Sequence, residues 1–217
     1  MASEIPHGGS VGAVCIVEAE GGNRVGTGFL AMFTAHSPKV LCVVTCRHVL
    51  PTEAECATAT CVFEQPGRPC HTIGLAPRRG FLVSPPPLDV AIVRVDAQEI
   101  AVVPSVHKPL LVSLDDGEPP APGEALQLFG YMRGLALAGM PARALGHGER
   151  LGGGDGVLAY EVDGAQPPSG GVSGAPVLDR AGGRVVAVHM GLDRATGEGR
   201  ASLLSAVPRA CGGAWAD

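Results

Sequence analysis

Short apolar and β-branched runs, each bounded by glycine or proline, recur along the chain and predict β-strands. In the N-terminal half the clearest runs cover residues 11–20, 25–33, 40–45 and 89–95, with weaker ones at 58–63 and 69–75. The stretch Glu20-Gly21-Gly22-Asn23 between the first two runs predicts a hairpin turn. No stretch shows helical periodicity with capping residues, apart from the last few residues of the chain.

A second set of strands follows a stretch that breaks this pattern. Between Val103 and Pro122, several prolines and the sequence Asp115-Asp116-Gly117 predict a linker. Beyond it, the predicted strands cover residues 125–131, 143–146, 158–162, 175–178, 184–189 and 201–205. We therefore predict an all-β protein with one β half over 10–105, a linker over 106–122, a second β half over 123–207, and tails at 1–9 and 208–217.

Composition indicates a globular chain and argues against two classes of partner, nucleic acids and membranes. Of the 217 residues, 46% are hydrophobic and 17% are charged, which is unlike a disordered sequence. The net charge of −5 and the lack of a long basic run argue against a nucleic-acid partner. No apolar stretch approaches the roughly 18–20 residues that span a bilayer, and the chain does not begin like a signal peptide. We therefore expect an intracellular protein, cytoplasmic or nuclear, with no membrane partner.

The seven cysteines also bear on the compartment in which the protein works. Their odd number, without a secretory signal, predicts free thiols in a reducing compartment. The alternative is a zinc-binding module built on Cys56, Cys61, Cys70 and His71, but these residues contain no CxxC pair and fit no common zinc pattern. We expect no metal and no cofactor.

Three segments carry residue types that suit nucleophilic catalysis. His48 follows an apolar strand, which would hold a base rigidly at a cleft, although a single histidine is more often structural. Asp89 lies among apolar neighbours, where a carboxylate is costly to bury unless a group such as a histidine N–H bonds it; a plain strand-entry aspartate is the alternative. Glycines on both sides of Ser173 permit the sharp turn that exposes a nucleophile, a flexible loop being the alternative.

Their order along the chain strengthens the catalytic interpretation. His, Asp and Ser follow one another as in one of the three convergent Ser-His-Asp arrangements. The histidine and the aspartate belong to the first β half and the serine to the second. A site formed by all three would therefore lie between the two halves.

The segments also resemble a known family. TCRHV at 45–49, LDVAIVRV at 88–95 and GVSGAPV at 171–177 match the T-A-x-H-V, D-[IV]-A and G-x-S-G-x-P motifs of the trypsin-like peptidases of the chymotrypsin superfamily. Residues 26–30 and 123–131 are similar to two further strands of that family, and the nearest branch is the intracellular and bacterial type. The resemblance implies a chymotrypsin-like double six-stranded antiparallel β-barrel, with the active site in the cleft between the barrels.

The resemblance further implies a serine endopeptidase that hydrolyses protein or peptide substrates through an acyl-enzyme. Ser173 would attack the scissile carbonyl, His48 would take its proton and pass it to the leaving amine, and Asp89 would hold the imidazole tautomer. The backbone N–H groups of Gly171 and Ser173 would form the oxyanion hole. Ser169 is a rival nucleophile, but the register of the motif selects Ser173.

Departures from the digestive enzymes bear on regulation. Val172 stands where those enzymes carry an aspartate that pairs with a new N-terminus, so activation by that route is not expected. No cysteine follows His48 directly, so the disulfide that usually staples this loop is absent, and Cys42 and Cys46 are expected to be core thiols.

Specificity residues are expected on the strand that contains His189 and Gly191, which would edge the primary pocket and pair with the substrate backbone. In viral 3C-type and glutamyl peptidases a histidine on this strand recognises Glu or Gln. His189 could do the same, although a shift of one residue in register would turn it to the opposite face. The alternative, which we favour for His189, is a histidine that packs behind the triad or lies at the surface. The base of the pocket would come from residues 166–168, whose lack of charge argues against Lys or Arg substrates.

The alternative function is a catalytically latent or inactive trypsin-like domain that serves as a peptide-binding or scaffold module. The presence of all three triad residue types favours an active enzyme. A Gly171 N–H turned away from the site would favour latency. The sequence leaves the oligomeric state and the identity of the substrate open.

Overall fold

A computed structural model describes residues 11–33, 40–64, 69–95, 99, 107–114, 117–132, 136–148, 155–164, 170–181 and 183–211. Strands account for most of this part of the chain. The helix α1 covers Glu53–Thr58 and the helix α2 covers Val207–Ala210. Among the described residues, no helix has the length and apolar character that a membrane crossing requires.

Eight strands from the N-terminal half form one sheet. They are β1 Val14–Ala19, β2 Asn23–Phe33, β3 Val40–Thr45, β4 Thr60–Phe63, β5 His71–Gly74, β6 Phe81–Val83, β7 Ala91–Arg94 and β8 Leu110–Val112. The order across the sheet is β5-β4-β1-β2-β3-β7-β6, with β8 added beside β2. A bridge between Leu75 and Val95 joins the end of β5 to the end of β7, so the sheet curls back towards itself.

Six strands from the C-terminal half close into an antiparallel barrel. They are β9 Ala125–Tyr131, β10 Leu137–His147, β11 Val157–Val162, β12 Pro176–Asp179, β13 Val185–Leu192 and β14 Gly199–Leu203. The order around this second barrel is β10-β11-β14-β13-β12-β9. Closure leaves no unpaired strand edge, and the inward side chains form a continuous apolar core with those of the first sheet.

Sequence and structure agree best where strands are long and buried. β3 and β9 have the predicted bounds, and positive φ angles of 87° at Gly21 and 77° at Gly22 form the predicted β1–β2 turn. One helix and two strands were not predicted: α1, β6 and β8. α1 is only six residues long and is capped by Thr52, whose side chain accepts the Glu55 N–H, so it is too short for helical periodicity.

The expected linker contains β8, which pairs in parallel with β2. The first sheet therefore has eight strands and one parallel pair rather than six antiparallel strands. Three residues in a proline-rich stretch carry too little pattern to predict a strand, and β8 owes its form to a partner far away in sequence. β6 is also only three residues long and carries too little pattern to predict, although its partner β7 lies nearby in sequence.

Thr27, on β2, joins the first sheet to the second barrel. Its N–H donates to the Ser173 carbonyl at 2.8 Å, its hydroxyl donates to the Gly171 carbonyl at 2.7 Å, and the same hydroxyl accepts the Tyr131 N–H at 3.1 Å. Thr27 is fully buried, so these bonds are shielded from competing water. They hold the loop around Ser173 against the first sheet.

Candidate active site

His48 leaves the core where β3 ends. The N–H groups of Val49 and Leu50 both donate to the Cys46 carbonyl at 3.1 Å, which turns the chain and brings the imidazole out. Half of the His48 side chain is exposed, so one ring edge can meet a ligand while the other faces the protein.

Asp89 holds that inner edge through both carboxylate oxygens. His48 Nδ1 lies 2.5 Å from Asp89 Oδ2, and the His48 backbone N–H donates to Oδ1 at 3.0 Å. An ionised carboxylate only accepts hydrogen bonds, so Nδ1 carries a proton; in the neutral imidazole, Nε2 then has a lone pair. The first sheet therefore presents an oriented imidazole base.

Asp89 is kept ionised although it is largely buried. Burial alone would raise the pKa of Asp89, but the hydrogen bonds and charge of His48, with a smaller contribution from Arg47, hold the pKa below its ordinary value. The Asp89 N–H donates to Ser202 Oγ at 2.9 Å, which ties the aspartate to β14 of the second barrel.

Glycines shape the loop that carries Ser173. Gly171 has φ 101° and Gly174 has φ 95°, both in the left-handed region that L side chains rarely adopt. A Cβ on Gly174 would lie 1.9 Å from the Thr27 carbonyl oxygen, so no larger residue fits there. Val172 is fully buried, which agrees with the expectation that this position forms no ion pair.

The Ser173 hydroxyl is not bonded to His48. It donates to the Met190 carbonyl at 3.2 Å, and no hydrogen bond joins it to the imidazole within the part of the chain that the structure describes. Catalytic hydrogen bonds are often absent without a substrate and tighten when one binds. The structure therefore brings His48 and Asp89 into contact, with Ser173 in a separate orientation.

The two candidate oxyanion donors lie on the glycine loop of Ser173. Among the described residues, the backbone N–H groups of Gly171 and Ser173 have no acceptor. The bond from Thr27 Oγ1 to the Gly171 carbonyl fixes the Gly171–Val172 peptide group, which lies between the two donors. Gly170 and Gly171 line a groove of about 480 Å³, together with Val25, Gly26 and Met132.

His189 lies on the buried face of β13, only 2% exposed. Its Nδ1 is paired with the Tyr160 hydroxyl. Burial and the neighbouring His48 lower the pKa of His189 to about 4, against a smaller opposing effect of the Arg200 backbone, so its imidazole is neutral at pH 7. The contact of Tyr160 with His189 was not predicted from the sequence. The signal that could have indicated it is a tyrosine on an apolar strand, because a buried tyrosine hydroxyl needs a hydrogen-bond partner.

Of the other residues expected to determine specificity, the structure describes Gly191 only. Gly191 lies on β13, opposite Arg200 of β14, beside a shift in register after His189. Residues 166–168, expected at the base of the pocket, and the rival Ser169 lie outside the described residues.

The cysteines do not form the cluster considered in the sequence. Among the described residues, the only group of three or more metal-ligating side chains within 4.8 Å of one another is Cys46, His48 and Asp89, so Cys56, Cys61, Cys70 and His71 do not converge. Cys42 and Cys46 are buried, as expected of core thiols. Burial and the nearby Asp89 charge raise the pKa of Cys46 well above its ordinary value.

Comparisons with known proteins agree on family and fold. The family model described as a trypsin-like peptidase domain matches residues 26–188. No curated protein sequence matches significantly.

Three solved structures illustrate the similarity in fold. The Rv3671c protease of M. tuberculosis in its active form is 20% identical, with 94% of this chain and 82% of that chain covered and a TM-score of 0.58. The MamO protease domain of Magnetospirillum magneticum is 16% identical, with 94% and 97% covered and a TM-score of 0.62. Human heparin binding protein is 13% identical, with 90% and 87% covered and a TM-score of 0.63. The predicted chymotrypsin-like double β-barrel is thereby confirmed.

Proposed function

The chain belongs to the family of trypsin-like peptidase domains, and from this premise we propose that it is a serine endopeptidase working through His48, Asp89 and Ser173. The observation that carries the proposal is the His48–Asp89 pair, joined by two hydrogen bonds at 2.5 and 3.0 Å, beside the glycine loop of Ser173. Membership of a peptidase family gives proteins or peptides as substrates; the serine mechanism is our inference from this arrangement.

The reaction begins with a rotation of Ser173. Its hydroxyl leaves the Met190 carbonyl and turns to the Nε2 lone pair of His48, which takes the proton as Oγ attacks the scissile carbonyl. Asp89, held ionised, stabilises the imidazolium that results. His48 then gives the proton to the leaving amine, and a water molecule hydrolyses the acyl-enzyme by the same steps.

The N–H groups of Gly171 and Ser173 stabilise the negative charge that forms on the carbonyl oxygen. Such a donor contributes on the order of 10²–10³ in turnover when it is already aimed at the developing charge. The bond between Thr27 Oγ1 and the Gly171 carbonyl, 2.7 Å long, supports this preorganisation because it holds the Gly171–Val172 peptide group, which connects the two donor residues.

The substrate lies along β13 in this proposal. The backbone at Gly191 pairs with the residues that precede the scissile bond, and His189 selects the side chain there. The imidazole is neutral, and its bond to the Arg200 backbone places the N–H on Nε2, with the Tyr160 hydroxyl donating to Nδ1; an Nε2 N–H suits the side-chain oxygen of Gln or Glu. Burial of His189 means that a substrate side chain must displace the interaction with the Arg200 backbone.

One observation favours a second candidate, a latent or non-catalytic peptide-binding module. The Ser173 hydroxyl is directed to Met190 rather than to the base. In addition, the similarity in fold extends to human heparin binding protein, whose name describes binding. The fold by itself therefore does not decide between catalysis and binding.

Cleavage of a peptide library separates these candidates. We expect the wild type to cut, with Gln or Glu before the scissile bond, and Ser173→Ala and His48→Ala to abolish cleavage. His147→Ala is the matched control, because His147 is exposed at the end of β10, and it should cleave normally. Binding of library peptides without cleavage by the wild type would support the scaffold function instead.

We also propose that the protein works in a reducing, intracellular compartment. All seven cysteines are free thiols, including Cys15 and Cys61, whose side chains are hydrogen-bonded neighbours. Thiol titration of protein purified without reductant and then denatured should find seven free thiols. A disulfide found in that protein would argue against this location.

A further inference from the structure

Cys46 brings a thiol to the two residues that form the candidate base. The ligand atoms of Cys46, His48 and Asp89 all lie within 4.8 Å of one another. The Cys46 side chain is buried, and its S–H donates to the His189 carbonyl at 3.0 Å. The trypsin-like motif T-A-x-H-V has alanine at this position, so the thiol is a departure that catalysis does not require.

Thiol, imidazole and carboxylate are the three ligand types that zinc binds in proteins. Zinc takes sulfur at about 2.3 Å and nitrogen or oxygen at about 2.0–2.2 Å, which places tetrahedral ligands about 3.3–3.7 Å apart. The Cys46, His48 and Asp89 ligand atoms must move by about 1 Å to reach this geometry, including a widening of the 2.5 Å His48–Asp89 contact. Because Nδ1 lies on the inner ring edge, the ion reaches it only when the half-exposed His48 side chain shifts away from Asp89.

We propose that Cys46, His48 and Asp89 form an inhibitory site for a thiophilic divalent cation such as Zn²⁺. The ion bonds to Cys46 Sγ, His48 Nδ1 and an Asp89 oxygen, with water in the fourth position. The thiol proton is released to solvent, and the proton on His48 Nδ1 moves to Nε2. No electrons are transferred.

The ion blocks catalysis because it occupies the atoms that orient and charge the base. With Nδ1 bound to metal and Nε2 protonated, His48 cannot take the Ser173 proton. This inhibition rests on the proposed function, whereas metal binding does not.

Arg47 is the main charge that opposes the ion. Its Nε lies 3.9 Å from Asp89 Oδ1, and its side chain is 33% exposed. Removing this positive charge should tighten binding of a cation. Arg47→Ala is therefore expected to need less Zn²⁺ than the wild type for the same inhibition.

Cobalt titration of the full chain tests the site independently of activity. Co²⁺ bound by a thiolate in a tetrahedral site gives a sulfur-to-metal charge-transfer band and intense visible bands. We expect these bands in the wild type and in Cys42→Ala, a buried cysteine on β3 away from the site, and their loss in Cys46→Ala. Cys46→Ser should also lack the charge-transfer band, and circular dichroism confirms that each variant is folded.

Peptide cleavage supplies the second readout. By mass action, Zn²⁺ at about ten times its Kd leaves roughly a tenth of the activity, and a chelator restores it. Cys46→Ala should keep its activity at the same Zn²⁺ concentration. The proposal is overturned if the wild type gives no thiolate band, or if Cys46→Ala keeps the band. Cobalt bands that depend on Cys46 in a protein without peptidase activity would support the metal site and contradict the proposed function.

Discussion

The proposed base and the proposed nucleophile come from different halves of the fold, and their hydrogen bonds fix them to different degrees. On the first sheet, Asp89 binds His48 through both carboxylate oxygens, at 2.5 and 3.0 Å. On the second barrel, the Ser173 hydroxyl has one bond of 3.2 Å, to the Met190 carbonyl. A buried carboxylate needs a partner in every state, whereas a serine hydroxyl can exchange one acceptor for another at little cost. In the proposed mechanism, His48 is therefore positioned in advance, and Ser173 has to be turned to it.

The largest effect is expected from damage to the preassembled half. Asp89→Asn keeps the shape of the side chain but can stabilise the wrong tautomer of His48, and should lower kcat about 10⁴-fold. Asp193→Asn, at a carboxylate in the β13–β14 loop, is the matched control and should leave kcat near normal. Single-turnover kinetics measures both, and an active Asp89→Asn enzyme would mean that the His48–Asp89 pair is not the base.

The second prediction concerns the second barrel, where the backbone of the Ser173 loop depends on Gly174. Gly174→Ala should lower the free energy of unfolding by about 4 kcal/mol, since its Cβ would lie 1.9 Å from the Thr27 carbonyl oxygen and φ is 95°. Gly183→Ala separates the two causes, because Gly183 has φ 65° but no atom within 4 Å. It should cost only about 1–2 kcal/mol of backbone strain. Equal costs in urea denaturation would show that the contact with Thr27 is unimportant.

Acid should lower the free energy of unfolding through His189, which lies in the second barrel. His189, whose carbonyl accepts the Gly174 N–H at 2.8 Å, has a pKa lowered to about 4. An unfolded histidine titrates near 6.5, so between these values the unfolded chain binds more protons and stability falls as the pH falls. This difference amounts to about 3 kcal/mol.

Urea denaturation at pH 7 and near pH 4.5 measures the loss in wild type and in His189→Asn. We expect a smaller loss in the variant, which has no titrating group there. His107, whose pKa is also lowered by burial, contributes in the same direction in both proteins and cancels in the comparison. Identical losses would show that His189 is not the group that titrates.

The smallest predicted effect concerns the link between the halves. Thr27→Val removes the hydroxyl that holds the Gly171 carbonyl and should lower kcat about tenfold, with KM little changed. Thr45→Val is the comparison variant, because Thr45 is equally buried and its hydroxyl bonds the Thr27 carbonyl at 2.7 Å; this hydroxyl packs against Gly174 but does not bond the Gly171 carbonyl. Thr45→Val should lower the free energy of unfolding but not kcat. A similar kcat for both variants would show that the Thr27 hydroxyl does not contribute to oxyanion stabilisation.

Features that depend on neighbouring residues in the sequence could be predicted, whereas features that depend on contacts between distant segments could not. β3 and β9 were predicted with their bounds, because apolar runs and glycines fix them within a few residues. β8 was missed because its partner β2 lies far away in sequence. The candidate residues followed from motifs, but the contacts of Cys46 with His189 and of Tyr160 with His189 depend on packing between distant segments. The orientation of the Ser173 hydroxyl depends on a side-chain torsion that no sequence pattern encodes.

Fluorophosphonate labelling followed by peptide mapping tests the central claim most directly, because these reagents react with a serine activated by a base and an oxyanion hole. We predict one adduct on the wild type, located on Ser173, and none on Ser173→Ala or His48→Ala. A folded wild-type protein that forms no adduct, or forms it on another serine, would contradict the assignment of Ser173 as a nucleophile activated by His48.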